Sequence, residues 1–164
     1  MTYSGPLSQP TTPAASPELS AVPLSSVWQT PHSGYHWDGS NRRFFEGWYY
    51  RVTLPAERQT FAFMYSIEAP QGNQAHSGGA AQILGPEDQY LCRTFADVGC
   101  FWAWRDALGL GQTRPVPGSP SIATLLPAAE FDQRVQEGYQ ASATWHQGKL
   151  RDPGSGQTAA WQYA

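Results

Sequence analysis

The sequence predicts a mainly β protein, an antiparallel barrel or sandwich in one incomplete domain. Three observations carry that reading. Short runs rich in Val, Ile, Phe, Tyr, Trp and Thr recur at near-regular spacing between Gly/Pro/Asn/Asp clusters. Several of these runs alternate apolar and polar side chains. Only one segment has a helical look, and a proline interrupts it. The 164 residues are the size of one ordinary domain.

Taken in order, residues 1–26 hold five of the fourteen prolines and little periodicity, which predicts a Pro/Ser-rich disordered arm. Residues 27–164 form the β domain. VWQTPHSGYHWDGSN, residues 27–41, mixes rings with Gly, Ser and Pro and reads as an ordered loop. RFFEGWYYRVTL, residues 43–54, reads as a strand, PAER as a turn and TFAFMYSIEA, residues 60–69, as the returning strand of a hairpin. QGNQAHSGGA is a Gly-rich connection, AAQIL a short strand, GPEDQ a turn, and YLCRTFADVGCFWAW one or two strands. DALGLGQTRPVPGSPS, residues 106–121, reads as loop because Gly and Pro crowd it. SIATLLPAAEFDQRV is the one possible helix, weakened by Pro127. YQASATWH, residues 139–146, alternates as a strand, GKLRDPGSG turns the chain, and QTAAWQYA is a last strand. The apparent strand at the C-terminus, without a cap or turn, suggests a piece of a longer protein.

Composition narrows the functional classes. Lys and Arg total 10 against 13 Asp and Glu, so there is no basic excess for a phosphate backbone, and nucleic acid is not an expected partner. No run of about 18 apolar residues is present, so any membrane contact is expected to be peripheral. Lys149 and the scattered arginines form no obvious anionic-lipid patch; exposed aromatics are the better candidate for membrane contact. The first 26 residues carry neither a basic n-region with an apolar core nor early arginines, so neither a secretory signal nor a plastid transit composition is expected. Cys92 and Cys100 read as free thiols of a reducing compartment. No cofactor fingerprint, nucleophile elbow or zinc pattern occurs.

The strand from residue 43 carries the sharpest signal. Its even positions are Phe44, Glu46, Trp48, Tyr50, Val52 and Leu54, which set one carboxylate among apolar and aromatic side chains. Such a carboxylate either finds a cation or hydrogen-bond partner, with Arg42, Arg43, Arg51 or a tyrosine as candidates, or takes up a proton. In the second case Glu46 is a general acid held in an apolar pocket. The preceding loop adds His32, His36 and Asp38, which serve either as an acid–base pair at a pocket mouth or as loop hydrogen bonds, an Asx-turn at Asp38–Gly39 included. The glycines flanking that loop argue against a metal site on a helix face. Trp37, Phe44, Trp48, Tyr49 and Tyr50 are either core or a pocket whose negative ring faces would stabilise a carbocation. His76 and His146 are expected to be solvated.

PHSGYHWDGSNRRFFEGWYYRV, residues 31–52, followed by FAFMYSIEAP, residues 61–70, resembles the opening of the tocopherol cyclase family of cyanobacteria and plastids. The likeness runs on more loosely through AAQILGP and the WAW segment, and EGWYY is similar to a strand of the lipocalin-like carotenoid hydratases. The resemblance implies closure of a methylated phytyl-benzoquinol to a chromanol without metal or redox cofactor. It further implies a small-molecule prenylated quinol as partner, and a cytoplasmic or peripheral thylakoid location. Protonation of the prenyl alkene gives a tertiary cation that the quinol oxygen captures. Glu46 is then the leading acid, Asp38 the second, His36 a relay or acceptor, and Trp37, Phe44, Trp48 and Tyr50 the prenyl pocket. Family members are longer, so the domain is expected to be an N-terminal part. The rivals are a lipocalin-like carrier of prenylquinones or carotenoids, an alkene hydratase, and a sugar-binding sandwich.

Overall fold

The computed structural model describes residues 34–164; the proline-rich arm and His32 lie outside the described residues. Nine strands and one short helix follow one another: β1 (Phe45–Leu54), β2 (Gln59–Glu68), β3 (Gly78–Leu84), β4 (Tyr90–Phe95), β5 (Phe101–Ala103), β6 (Gly109–Pro115), α1 (Ala128–Arg134), β7 (Val135–Ser142), β8 (His146–Arg151) and β9 (Thr158–Tyr163). They form two antiparallel sheets, β1-β2-β3-β4 and β5-β6-β7-β8-β9, each laid out in sequence order. The result is a sandwich, with no closed barrel among the described residues.

The predicted hairpin forms as read. Glu46 lies opposite Ile67, Trp48 opposite Tyr65 and Tyr50 opposite Phe63, and burial alternates along β1 with Glu46, Trp48, Tyr50 and Val52 turned inward. Side chains of paired strands share a face, so one pleat places this whole set over the core. That core joins Phe63, Tyr65, Ala81, Ile83, Leu91 and Phe95 of the first sheet to Leu110, Tyr139, Ala141 and Leu150 of the second. Tyr65 and Tyr139 stack across the interface at 4.3 Å and 9°. The Trp161 indole N–H donates to the Tyr65 hydroxyl at 3.2 Å.

Three expectations for the second sheet are corrected. Residues 109–115 are not loop but the buried strand β6. Its glycines are the reason: a Cβ on Gly109 would lie 2.1 Å from the Trp104 ring, and one on Gly111 2.6 Å from the Trp102 indole. Bare backbone there is the floor on which two indoles lie, a packing role that Gly-rich composition disguises. The alternation over residues 139–146 is not one strand. Ser142 ends β7, its hydroxyl accepting the backbone N–H groups of Thr144 and Trp145, and β8 starts at His146. β8 then runs through Lys149 to Arg151, so the turn is confined to residues 152–156. The helix forms only beyond Pro127, which stands as its N-cap.

The turn before β8 also overturns the solvated reading of His146. Its ring is 6% exposed, stacked on Tyr163 at 4.7 Å and edge-on to Tyr50 at 4.3 Å, with Nδ1 3.0 Å from the Tyr163 hydroxyl. Burial pushes its pKa down to about 4, so the imidazole sits neutral in the core. Outside the second sheet, α1 and the preceding segment bury Ile122, Leu126, Phe131 and Val135. The fully buried Gln140 amide holds that segment, accepting from the Leu126 N–H at 3.0 Å and donating to its carbonyl at 2.6 Å.

Candidate active site

The loop ahead of β1 ties the two sheets together. The Tyr35 N–H donates to the Trp104 carbonyl at 2.8 Å, and the Ala69 N–H donates to the Phe44 carbonyl at 3.0 Å. Gly34 makes the first contact possible, since a Cβ there would lie 1.7 Å from the Arg105 carbonyl oxygen. The Arg105 guanidinium donates to the Trp37 carbonyl at 3.3 Å. Pinned at these points, the loop carries His36 over the end of β1.

Glu46 meets His36 there, not one of the arginines. The His36 backbone N–H donates to Glu46 Oε2 at 3.0 Å, and His36 Nδ1 lies 2.7 Å from Oε1. Arg42 pairs instead with Asp38 at 2.6 Å, and Arg43 with Glu68 at 3.4 Å. The Glu46 side chain is 15% exposed and the His36 side chain 50%, so the couple points from the protein interior towards its surface. The two contacts fix the imidazole, and with Nδ1 on the carboxylate it is Nε2 that points away from Glu46.

Rings surround the inner end of the couple. Tyr35 packs at 5.8 Å from Phe44, 6.3 Å from Trp48, 5.5 Å from Phe101 and 6.5 Å from Trp37. Trp48 and Phe101 stack at 6.3 Å. The Tyr35 hydroxyl is buried without a hydrogen-bond partner among the described residues, and burial followed by the Glu46 charge raises its pKa well above the usual phenol value. This set places a carboxyl–imidazole couple and a phenol beside a cluster of ring faces.

The sequence-predicted residues thus divide. Glu46, His36, Phe44, Trp48 and Trp37 come together, whereas Asp38 and Tyr50 do not join them. Asp38 is an exposed loop acid that accepts from the Ser40 N–H at 2.9 Å, the expected Asx-turn. Bonds from Ser40 and then Arg42 hold its carboxyl far below the usual range, which unsuits it as a proton donor. Tyr50 turns inward one repeat further on and packs on His146 and Tyr65. Tyr35 and Phe101 were missed: Tyr35 lay in a loop without periodicity, and Phe101 belongs to the other sheet, beyond the reach of strand parity on β1. Among the described residues no three His, Cys, Asp or Glu side chains converge as metal ligands.

A probable chloroplastic tocopherol cyclase of Oryza sativa subsp. japonica is 41% identical over 93% of this chain and 37% of its own length. A chloroplastic tocopherol cyclase of Zea mays is 39% identical over 92% of this chain and 36% of its own length. The chain therefore spans little more than a third of these relatives. No solved structure matches. The family model described as tocopherol cyclase-like matches residues 42–164, and the chain belongs to that family.

Proposed function

We propose that these residues form the proton-transfer centre of an enzyme that closes a prenylated quinol to a chromanol. The observation that carries the reading is the doubly bonded Glu46–His36 couple set against Tyr35, Phe44, Trp48 and Phe101. The couple delivers its proton to the prenyl alkene, forming a C–H bond and leaving a tertiary cation. The ring faces stabilise that charge. The quinol oxygen then bonds to the cation, and its proton returns to the couple, so atoms and charge balance and the catalyst is restored. The Tyr35 hydroxyl, otherwise unpartnered, suits a hydrogen bond to the quinol.

Phe45 and Tyr49, 63% and 62% exposed on the outer face of β1, suit a peripheral contact with the membrane that dissolves so apolar a substrate.

The test is anaerobic incubation of the folded chain with a phytyl-benzoquinol and mass analysis of the product. A product of unchanged mass supports cyclisation, a gain of one water indicates hydration, and no product from a chain that binds the quinol supports the carrier reading. Glu46→Gln should lower turnover about 10²-fold or more. A folded variant with full activity would overturn the assignment.

A further inference from the structure

The arginines are scattered in sequence, but the fold gathers three of them along one cleft. Arg93 on β4, Arg114 on β6 and Arg151 on β8 line a cleft of about 640 Å³ between the edge of the first sheet and strands β6–β9 of the second. Their commitments differ. Arg93 is fully used: Nε and Nη2 donate to Glu137 at 2.7 and 3.0 Å, and Nη1 donates to the Thr94 carbonyl at 3.0 Å. Arg114 reaches the same carboxylate through Nη2 at 3.1 Å, with half of its side chain exposed. Arg151 is exposed, and among the described residues its guanidinium makes no ion pair.

Other charges do not neutralise them. Lys149 also borders the cleft, but its ammonium lies 4.0 Å from the Asp132 carboxylate, which offsets its charge. Asp152, whose carboxylate accepts from the Gly154 N–H and the Ser155 hydroxyl of the β8–β9 turn, does not line the cleft. Arg93 and Arg114 share the buried Glu137 carboxylate, and Arg151 adds a third guanidinium to the lining, so the cleft carries an excess of two positive charges in a chain whose net formal charge is -3. The remaining wall is mostly apolar, Leu150, Pro153, Ala159 and Ala160, with Gln136 and Thr158 as its polar members.

We propose that this cleft is an oxyanion site, which takes a phosphate- or sulfonate-type group between Arg114 and Arg151 while the Arg93–Glu137 pair forms its floor. A guanidinium with unused N–H groups binds such oxygens in pairs, and two of them lining one cleft favour a tetrahedral anion over a halide. The apolar wall accommodates the organic body that carries the group. Free anions and lipid headgroups offer the same chemistry, and the site does not depend on the quinol reading.

The experiment titrates the chain at low ionic strength with inorganic phosphate, following amide shifts by NMR. In parallel it measures flotation with phosphatidylglycerol-containing vesicles against pure phosphatidylcholine. Saturable phosphate binding weakened about tenfold or more in Arg114→Gln/Arg151→Gln supports the site with a free anion as ligand. Flotation with the anionic vesicles alone, lost in the same variant, supports it with a headgroup as ligand. Arg51→Gln, on the far edge strand of the first sheet, should change neither. Arg151→Gln alone alters only an exposed side chain and gives a partial loss should the double variant fail to fold. Absence of both kinds of binding, or binding that survives these substitutions, would overturn the proposal.

Discussion

Glu137 offers the sharpest test of how the two sheets are held together. It rises from β7 with its side chain 7% exposed, and takes the Arg93 fork from β4 in the opposite sheet at 2.7 and 3.0 Å. Arg114 at 3.1 Å and the Arg151 N–H, also at 3.1 Å, complete its shell. Removing one member of a buried, hydrogen-bonded pair costs about 3–5 kcal/mol because the other is left charged and unpaired. Arg93 is 20% exposed and Arg114 53%, so water recovers part of that loss and Arg114 contributes less than about 1 kcal/mol. Glu137→Gln should therefore destabilise the domain by about 3 kcal/mol, a fall in Tm on the order of 10 °C. Urea unfolding followed by near-ultraviolet circular dichroism measures it. A change below about 0.5 kcal/mol would refute the view that this pair joins the sheets.

The same pair sets an acid limit. Burial alone would raise the Glu137 pKa, but the hydrogen bonds from the Arg93 side chain and the Arg151 backbone N–H, with the Arg93 and Arg114 charges, outweigh it and lower the carboxyl below its ordinary 4.5. With the folded value depressed, the stabilisation is complete above the unfolded pKa and is lost as pH falls through the folded one. Wild-type and Glu137→Gln unfolding curves should accordingly converge at acid pH.

Three other perturbations have definite signs. His146, with its pKa pushed down to about 4 from 6.5, contributes stability that is complete above 6.5 and declines as pH falls towards 4; His146→Asn should flatten that part of the pH profile of unfolding. Gly148→Ala places a Cβ 2.2 Å from the Trp161 ring on the paired strand and should cost about 1–3 kcal/mol, visible as a lower urea midpoint with an unchanged m-value. Tyr139→Phe removes a fully buried hydroxyl that has no hydrogen-bond partner among the described residues while keeping the stack on Tyr65, and should raise the thermal midpoint by the equivalent of about 1 kcal/mol.

The first sheet was legible because its strands bury one face each. In β1 and β2, Trp48, Tyr50, Phe63 and Tyr65 alternate with exposed or small residues, and period two survives in the sequence. The second sheet hides its pattern. β6 buries Gln112 and Thr113 beside two glycines, and β7 buries Gln140 on the face covered by Leu126, so polar residues occupy core positions and composition misleads. His146 was misplaced because a three-residue turn after Ser142 resets the parity on which its exposure was judged. At the site, Glu46 was legible from β1 alone. Its partnership with His36 depends on where Trp104 anchors the loop, and Phe101 enters from the other sheet. Both are tertiary facts.

The geometry also limits how many polar centres one ring closure can use. Glu46 and Tyr50 lie four residues apart on β1, about 13 Å at the rise of a strand, and His146 packs on Tyr50. When a chromanol closes, the alkene carbon and the attacking oxygen approach within about 3–3.5 Å. A proton given at Glu46 therefore cannot be the partner of one taken at His146 in the same closure. On the proposed cyclisation, donor and acceptor must both reach the reacting atoms, and Glu46 with His36 at 2.7 Å can do so as one couple. It follows that His146→Asn, though it changes stability with pH, should leave kcat per folded molecule within a few-fold of wild type, whereas His36→Asn should lower it as Glu46→Gln does. A loss at His146 equal to that at Glu46, with folding intact, would mean that the reacting carbon lies further along β1.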